Sequence, residues 1–171
     1  YPQNPMYLLG HSLGGQLAML YMSINPTDIS GLIGVATGSP YFKGWSFPYN
    51  FGIILLSLFM PLVAAFMGYF PGRKLGFGGR ESHKLVKDWA HSVKRGRYVA
   101  AGHSADFEEK IKNLTKKALF ITIENDTLAP HSSSKNLGDK LSNGEVSYHH
   151  LDKNDFENDS LGHFNWMNEP E

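Results

Sequence analysis

The chain has 171 residues, of which 42% are hydrophobic and 19% charged, so it can form the core of one ordinary domain. Sixteen basic and sixteen acidic residues cancel, and this balance argues against nucleic-acid binding. The absence of cysteine excludes disulfide scaffolds, thiol catalysis and cysteine-ligated zinc. The sequence starts at Tyr1 without a signal segment, and we expect it to be a piece of a longer, cytoplasmic protein.

The first 40 residues have the pattern of a strand–helix–strand unit. Residues 6–9 are a short apolar run closed by Gly10, which predicts a buried strand. Apolar residues recur at helical spacing over residues 13–24, and the run 29–36 predicts a second strand. Two such strands joined by one helix run parallel, with a right-handed crossover.

A long uncharged segment follows, over residues 44–72. Residues 51–70 are almost wholly apolar and nearly long enough to cross a bilayer, which leaves a membrane-spanning helix as an alternative. Pro61 lies in the middle, and a proline inside a helix costs about 3 kcal/mol or more. We therefore predict two short helices that meet near Pro61 and belong to a cap.

The rest of the chain returns to an α/β pattern. Two amphipathic helices, a strand, a helix and a last strand are predicted over residues 82–94, 107–114, 118–123, 132–141 and 146–151. The complete order predicts an α/β fold with about four parallel strands. Residues 1–40 and 117–171 would form its core, and residues 41–116 a mainly helical insertion.

The charges are unevenly distributed along the chain. Residues 1–72 contain one acidic and one basic residue, residues 73–117 have a net charge of +7, and residues 118–171 have a net charge of −7. Two interpretations are open. The blocks form complementary solvated surfaces, or the basic block faces an anionic lipid or an anionic substrate.

The pattern G-x-S-x-G occupies residues 10–14, where a predicted strand gives way to a predicted helix. The turn between such elements is tight enough to strain the serine backbone, and it leaves the serine oxygen exposed at the end of the strand. Glycines two residues to either side avoid a clash. Ser12 is therefore a candidate nucleophile, with a plain helix N-cap as the alternative.

A serine nucleophile needs a base, and the base needs an acid that orients it. Asp126 follows the third predicted strand and His163 lies in a loop after the last one. Both are expected at the carboxyl ends of the strands, near Ser12. Glu124 and Asp159 are alternative acids, but Glu124 is expected still within the strand and Asp159 lies very close to His163 in sequence.

The other histidines do not predict a metal site. His149 and His150 are adjacent on a predicted strand, so their side chains point to opposite faces and cannot readily share an ion. His11, next to Ser12, is predicted to pack or to form a hydrogen bond. We expect neither a metal nor an organic cofactor.

Three segments resemble the carboxyl-terminal part of an α/β-hydrolase, in the branch that contains serine aminopeptidases and monoacylglycerol lipases. They are Gly10–Gly15 (GHSLGG), residues 126–130 (DTLAP) and the pair Gly162-His163. The resemblance implies a serine hydrolase acting on carboxylic esters, with a small-molecule ester or lipid as substrate. It also implies Ser12, His163 and Asp126 as a catalytic triad and the Leu13 backbone N–H as one oxyanion donor. The apolar residues 51–70 would then line an acyl-binding slot above Ser12.

The chain departs from that family in one respect. The family has about four strands before the serine, and a loop among them supplies the second oxyanion donor. These strands are not in the sequence, so we expect an open edge on the strand of residues 6–9, with Tyr7, Leu8 and Leu9 exposed. Alternative functions are a non-catalytic binding module of this fold, or a peptidase or acyltransferase.

Overall fold

The computed structural model describes residues 4–75, 78–156 and 161–168. It contains two compact units. The core unit comprises Tyr1–Ser39 and Phe107–Glu171, and the insertion unit comprises Pro40–Asp106. In chain order the main elements are β1 (Tyr7–His11), α1 (Leu13–Ile24), β2 (Gly31–Val35), α2 (Tyr49–Met67), β3 (Tyr69–Pro71), β4 (Arg80–Ser82), α3 (His83–Arg95), α4 (Phe107–Lys112), β5 (Lys117–Ile123), α5 (His131–Gly138) and β6 (Glu145–Leu151).

The core unit is built on a four-stranded sheet with the order β1-β2-β5-β6. All three neighbouring pairs are parallel, which confirms the predicted fold class. The central strands are apolar on both faces, and Leu32, Ala118 and Phe120 are buried, as expected for parallel strands covered by helices. The carboxyl ends of the strands lie along one edge of the sheet, where loops carry polar residues.

β1 is an edge strand of this sheet, and β2 is its neighbour. Tyr7 is 52% exposed and Leu9 69% exposed, as predicted, whereas Leu8 is half-buried. These exposed apolar side chains lie on a strand whose outer edge carries unpaired N–H and C=O groups in the part of the chain that the structure describes.

The boundary of the insertion differs from the predicted one at its second end. α4 was predicted as part of the insertion, but it groups with the core unit and contacts α1. Phe107 and Ile111 are buried, whereas the glutamates and lysines of α4 are exposed or half-buried. The apolar stripe of this short helix thus belongs to the core of the sheet unit.

The prediction of two short helices meeting near Pro61 is wrong. α2 is one helix of 19 residues with Pro61 inside it, and it ends at Gly68 in the left-handed conformation. Pro61 cannot donate the hydrogen bond that the carbonyl of Ser57 would accept. Met60 and Ala64, on either side of the proline, are buried against Phe70. Burial of the Met60 side chain alone contributes about 1.5–3 kcal/mol, comparable with the cost of the proline.

α3 packs along α2 and was predicted almost to the residue. Its N-cap is Ser82, whose hydroxyl accepts a hydrogen bond of 3.2 Å from the Leu85 backbone N–H. Its C-cap is Gly96, in the left-handed conformation. The antiparallel pair β3–β4 was not predicted, because strands of three residues are too short to show an alternating pattern.

α2 is long and apolar enough to cross a membrane by length and composition. Only 17% of its most apolar 18-residue window is buried, so it is not a typical core helix of a globular unit. Among the described residues it is the one helix that meets these criteria, and such a single helix is weak evidence for a membrane span.

Candidate active site

Ser12 lies between the end of β1 and the start of α1, in a strained backbone conformation. Its φ is 54° and its ψ is −124°, a region that non-glycine residues adopt at a cost of about 1–3 kcal/mol. The Ser12 N–H donates to the carbonyl of Val35 at 3.1 Å, and the Thr37 hydroxyl donates to the Ser12 carbonyl. These hydrogen bonds, to Val35 at the end of β2 and from Thr37 two residues later, hold this conformation in place.

Two glycines make the turn possible, but they are not the pair expected from the sequence pattern. A Cβ on Gly10 would lie 2.5 Å from the Gly15 nitrogen, and a Cβ on Gly15 would lie 2.6 Å from the Thr37 hydroxyl. A Cβ on Gly14 meets nothing within 4 Å among the described residues. Gly10 and Gly15 are therefore the positions at which the backbone comes too close to other atoms of the protein to leave room for a side chain.

The structure brings Ser12, His163 and Asp126 together, although they are far apart in sequence. The His163 Nε2 lies 2.7 Å from the Ser12 Oγ. The His163 Nδ1 lies 2.9 Å and 3.0 Å from the two carboxylate oxygens of Asp126. The three side chains form a continuous series of hydrogen bonds from carboxylate through imidazole to hydroxyl.

Asp126 is held by its own loop. Its side chain is fully buried, and its Oδ1 accepts hydrogen bonds from the backbone N–H groups of Leu128 (2.9 Å) and Ala129 (2.8 Å). These bonds fix the carboxylate facing His163.

Glu124 and Asp159 are the two alternatives to Asp126 that the sequence offers as the acid beside His163. Glu124 faces another loop, where its Oε2 accepts a hydrogen bond of 3.2 Å from the Lys153 backbone N–H. Asp159 lies outside the described residues. Of the acids that the structure describes, Asp126 is thus the one beside the His163 imidazole.

His163 is also held through its backbone carbonyl, which accepts two side-chain hydrogen bonds. His11 Nε2 donates at 2.9 Å and Trp166 Nε1 donates at 3.2 Å. The His11 and His163 rings lie 4.9 Å apart, and Phe164 stands edge-on to His163 at 4.6 Å. Sequence reasoning predicted a hydrogen-bonding or packing role for His11, but it did not identify Trp166 or Thr37.

The pKa of His11 is lowered from its ordinary value, chiefly because burial penalises the charged form. The neighbouring His163 lowers it further, whereas the hydrogen bond to the His163 carbonyl raises it. A carbonyl only accepts, so the Nε2 of His11 carries a proton in this hydrogen bond. His11 is therefore poised to be neutral, with its proton on Nε2.

The backbone N–H of Leu13 is the predicted oxyanion donor. Leu13 is the first residue of α1. The N–H groups of the first turn have no acceptor within the helix, and the N-terminal end of a helix attracts negative charge. This position, next to Ser12, can hold part of a developing oxyanion.

The remaining histidines do not form a metal-binding cluster. Within the described residues no group of three or more metal-ligating side chains comes together. The Nδ1 atoms of His150 and His131 lie 2.9 Å and 3.2 Å from the buried hydroxyl of Thr122. The hydroxyl of Thr122 on β5 thus lies within hydrogen-bond distance of both His131 of α5 and His150 of β6.

Four parallel strands, flanking helices and a serine at the first strand-to-helix junction define the class as the α/β-hydrolase fold. The chain belongs to the serine aminopeptidase S33 family, whose sequence profile matches residues 1–154. Ser12 and Asp126 lie within the matched residues, and His163 lies beyond them. No curated protein sequence matches the chain.

Solved structures with the same fold include two that are informative about length. The alpha/beta hydrolase domain-containing protein 10 from mouse is 19% identical with a TM-score of 0.51, over 89% of this chain and 55% of that one. The monoacylglycerol lipase of Paleococcus ferrophilus is 14% identical with a TM-score of 0.54, over 94% of this chain and 60% of that one. The chain therefore spans between half and two thirds of the length of these neighbours.

Proposed function

We propose that the full-length protein containing this sequence is a serine hydrolase that cleaves carboxylic esters through an acyl-enzyme. The observation that carries the proposal is the series of hydrogen bonds from Asp126 through His163 to the Ser12 Oγ, at 2.9 Å and 2.7 Å. An imidazole between a buried carboxylate and a serine hydroxyl is the arrangement that activates serine for acyl transfer.

In the first half-reaction the Ser12 Oγ attacks the ester carbonyl carbon while the Nε2 of His163 takes the hydroxyl proton. The resulting oxyanion is held in part by the N–H of Leu13, and a second donor would come from an upstream segment. The carbonyl re-forms as the bond to the alcohol oxygen breaks, and His163 gives its proton to that oxygen. The products of this step are an alcohol and an acyl ester on Ser12.

In the second half-reaction water takes the place of the alcohol. His163 removes a proton from the water, and the water oxygen attacks the acyl carbon. The bond to Ser12 then breaks, and His163 returns the proton to the Ser12 Oγ. Throughout, Asp126 accepts a hydrogen bond from Nδ1, which fixes the imidazole tautomer and stabilises the imidazolium.

Esters are favoured over amides as the substrate class by the similarity to a monoacylglycerol lipase, a protein named for hydrolysis of a lipid ester. The family description names an aminopeptidase, so an amide is the second candidate. The two are distinguished by measuring hydrolysis of p-nitrophenyl esters of increasing acyl length beside that of amino-acid p-nitroanilides.

The proposal is tested by labelling the full-length protein with a fluorophosphonate probe and by following p-nitrophenyl ester hydrolysis. We expect rapid labelling of Ser12 and loss of both labelling and activity in Ser12→Ala. Ser46→Ala, at an exposed serine of the insertion unit, is the matched control and should retain both. A protein that binds an ester analogue without labelling or turnover would instead be a binding module of this fold.

A further inference from the structure

α2 presents a continuous apolar face to solvent. The exposed side chains of this apolar face recur at helical spacing and are Phe51, Leu55, Leu58, Phe59, Leu62 and Phe66. Their exposure runs from 49% at Leu55 to 90% at Phe66. A groove of about 590 Å³ runs along this face, lined by Leu55, Leu58 and Phe59 among others. Apolar patches of this kind are rare on free surfaces and mark sites of interaction.

The opposite side of α2 is fixed to the rest of the insertion unit. Met60 and Ala64 pack with Phe70 and with Val86 of α3. α3 carries exposed basic side chains, including Lys84 and Lys87, on its outer surface. A helix that spans a bilayer in this arrangement would carry the charges of α3 into the hydrocarbon. The packing therefore favours a helix that lies on a surface over one that crosses it.

The ends of α2 are flanked by positive charge. The nearest charged residue before it is Lys43, and the first ones after it are Arg73 and Lys74, all exposed. Arg80 is also exposed and lies over the ring of Tyr69, next to the helix end, at 4.1 Å. The insertion unit as a whole contains nine Lys and Arg against three Asp and Glu, a net charge of +6.

We propose that the insertion unit binds anionic lipid surfaces through the apolar face of α2. The helix lies in the plane of the surface, its apolar face enters the boundary between headgroups and acyl chains, and the flanking Lys43, Arg73 and Lys74 contact lipid phosphates. An apolar helical face with basic residues around it is the combination that holds helices at anionic membranes. A second copy of the chain is a poorer partner for this face, because its own Lys43, Arg73 and Lys74 would lie against the same positive charges.

The proposal concerns binding only and is independent of the reaction proposed for Ser12. Binding to a lipid surface would bring the protein directly to lipid esters, which are candidate substrates of that reaction. Cytoplasmic leaflets carry anionic lipids, so a cytoplasmic location, which we retain as part of the proposal, places the protein next to such a surface.

Vesicle flotation of the full-length protein tests the proposal. The vesicles are pure phosphatidylcholine or phosphatidylcholine with about 30% phosphatidylserine, whose negative surface potential attracts basic residues. We expect binding to the anionic vesicles that weakens with added salt. The triple variant Leu58→Gln, Phe59→Gln and Leu62→Gln should lose at least tenfold in affinity. Val99→Gln, an apolar residue of the same unit that is 39% exposed, should bind as the parent does.

A second pair of substitutions tests the charges separately from the apolar face. Arg73→Gln with Lys74→Gln should weaken binding to the anionic vesicles about fivefold per side chain and leave the weak binding to phosphatidylcholine unchanged. Because these side chains are exposed, the variant keeps the packing of α2, which circular dichroism and thermal unfolding can check.

The depth of the helix is measured with Phe59→Trp and brominated lipids. Stronger quenching by lipids brominated near the headgroup than by lipids brominated near the chain ends supports a helix in the surface plane. Strongest quenching at the chain ends would indicate a span and overturn the proposal.

Two further results would also overturn it. One is equal vesicle binding by the parent and the triple variant. The other is no vesicle binding at all by the parent protein. In that case, self-association that the triple variant abolishes would assign the apolar face to a second copy of the chain. A change of the triple variant's acyl-length preference toward soluble esters would instead assign the face to an acyl slot.

Discussion

The side chain of His11 donates a hydrogen bond from Nε2 to the backbone carbonyl of His163, over 2.9 Å. One residue of β1 thus ties the loop of the proposed general base to the strand that ends at the proposed nucleophile. Ser12 follows His11 directly, so the two partners of the 2.7 Å contact between His163 Nε2 and Ser12 Oγ are held by the same segment. His11 is in this sense a positioning residue.

The positioning role predicts a difference between two substitutions of His11. Leucine removes the donor, whereas the amide nitrogen of glutamine can still reach the His163 carbonyl. A neutral hydrogen bond contributes about 0.5–1.5 kcal/mol, so His11→Leu should lower kcat by roughly twofold to tenfold. His11→Gln should restore most of it, with KM little changed in either variant. Steady-state ester hydrolysis by the full-length protein measures this, and equal kcat in both variants would argue against it.

His11 also predicts how stability changes with pH. Its pKa in the folded protein is below the ordinary value of 6.5, so between these two values the unfolded chain binds a proton that the folded chain does not. The free energy of unfolding should be at its full value above pH 6.5 and fall as the pH drops through that window. His11→Gln has no such group and should lose less. Urea unfolding of both proteins across that window compares the slopes.

Asp126 and Glu124 provide a matched pair of acids on one loop. Asp126 contacts the His163 Nδ1, whereas Glu124 contacts the Lys153 backbone. Loss of the orienting acid in a serine triad lowers kcat by about 10⁴, so Asp126→Asn should approach that loss. Glu124→Gln should retain activity within a few fold. A larger loss at Glu124 than at Asp126 would overturn the assignment of the acid.

The two glycines after Leu13 are predicted to respond oppositely to alanine. A Cβ at Gly15 would lie 2.6 Å from Thr37 side-chain atoms, and overpacking of this kind costs about 1–3 kcal/mol. A Cβ at Gly14 has open space, and alanine in a helix is favoured over glycine by about 0.5–1 kcal/mol. Thermal unfolding should show Gly15→Ala destabilised and Gly14→Ala unchanged or more stable. Destabilisation at Gly14 would indicate that a segment outside this chain packs there.

Much of the candidate site could be predicted from the sequence because it depends on local patterns and on topology. The glycines around Ser12 indicate a tight turn between a strand and a helix. Parallel strands bring their carboxyl ends to one edge of the sheet, so Asp126 and His163 were expected near Ser12. The contacts of Thr37 and Trp166 were not predicted. Each depends on where a loop lies in three dimensions, and a single threonine or tryptophan has no pattern that reveals it.

The unbroken course of α2 through Pro61, by contrast, could not be predicted from the sequence. A proline at position 61 predicts a break by local rules, and the tertiary packing of Met60 and Ala64 overrides it. The apolar composition of residues 51–70 also fitted both a buried cap and a membrane segment. Only the structure shows which side of the helix is covered and which side is exposed.

The exposed edge of β1 predicts how the isolated 171-residue chain behaves. Leu9 is 69% exposed on a strand at the edge of the sheet, and such an edge pairs readily with other chains. We expect the isolated chain to be poorly soluble and nearly inactive, because an open edge favours aggregation and because α/β-hydrolases take their second oxyanion donor from a loop that precedes the serine. Loss of one such donor lowers kcat by about 10²–10³.

A charge at Leu9 should therefore have opposite effects in two settings. In the isolated chain, Leu9→Lys places a lysine on an open edge, where it blocks pairing, and the soluble fraction should rise. In the full-length protein an upstream strand is expected to cover the same position, so the lysine would be buried without a partner and the soluble, active fraction should fall. Gel filtration and ester hydrolysis of the isolated chain and the full-length protein, each with and without the substitution, measure both effects. Full activity of the isolated chain, or a harmless lysine in the full-length protein, would show that no further strand pairs with β1.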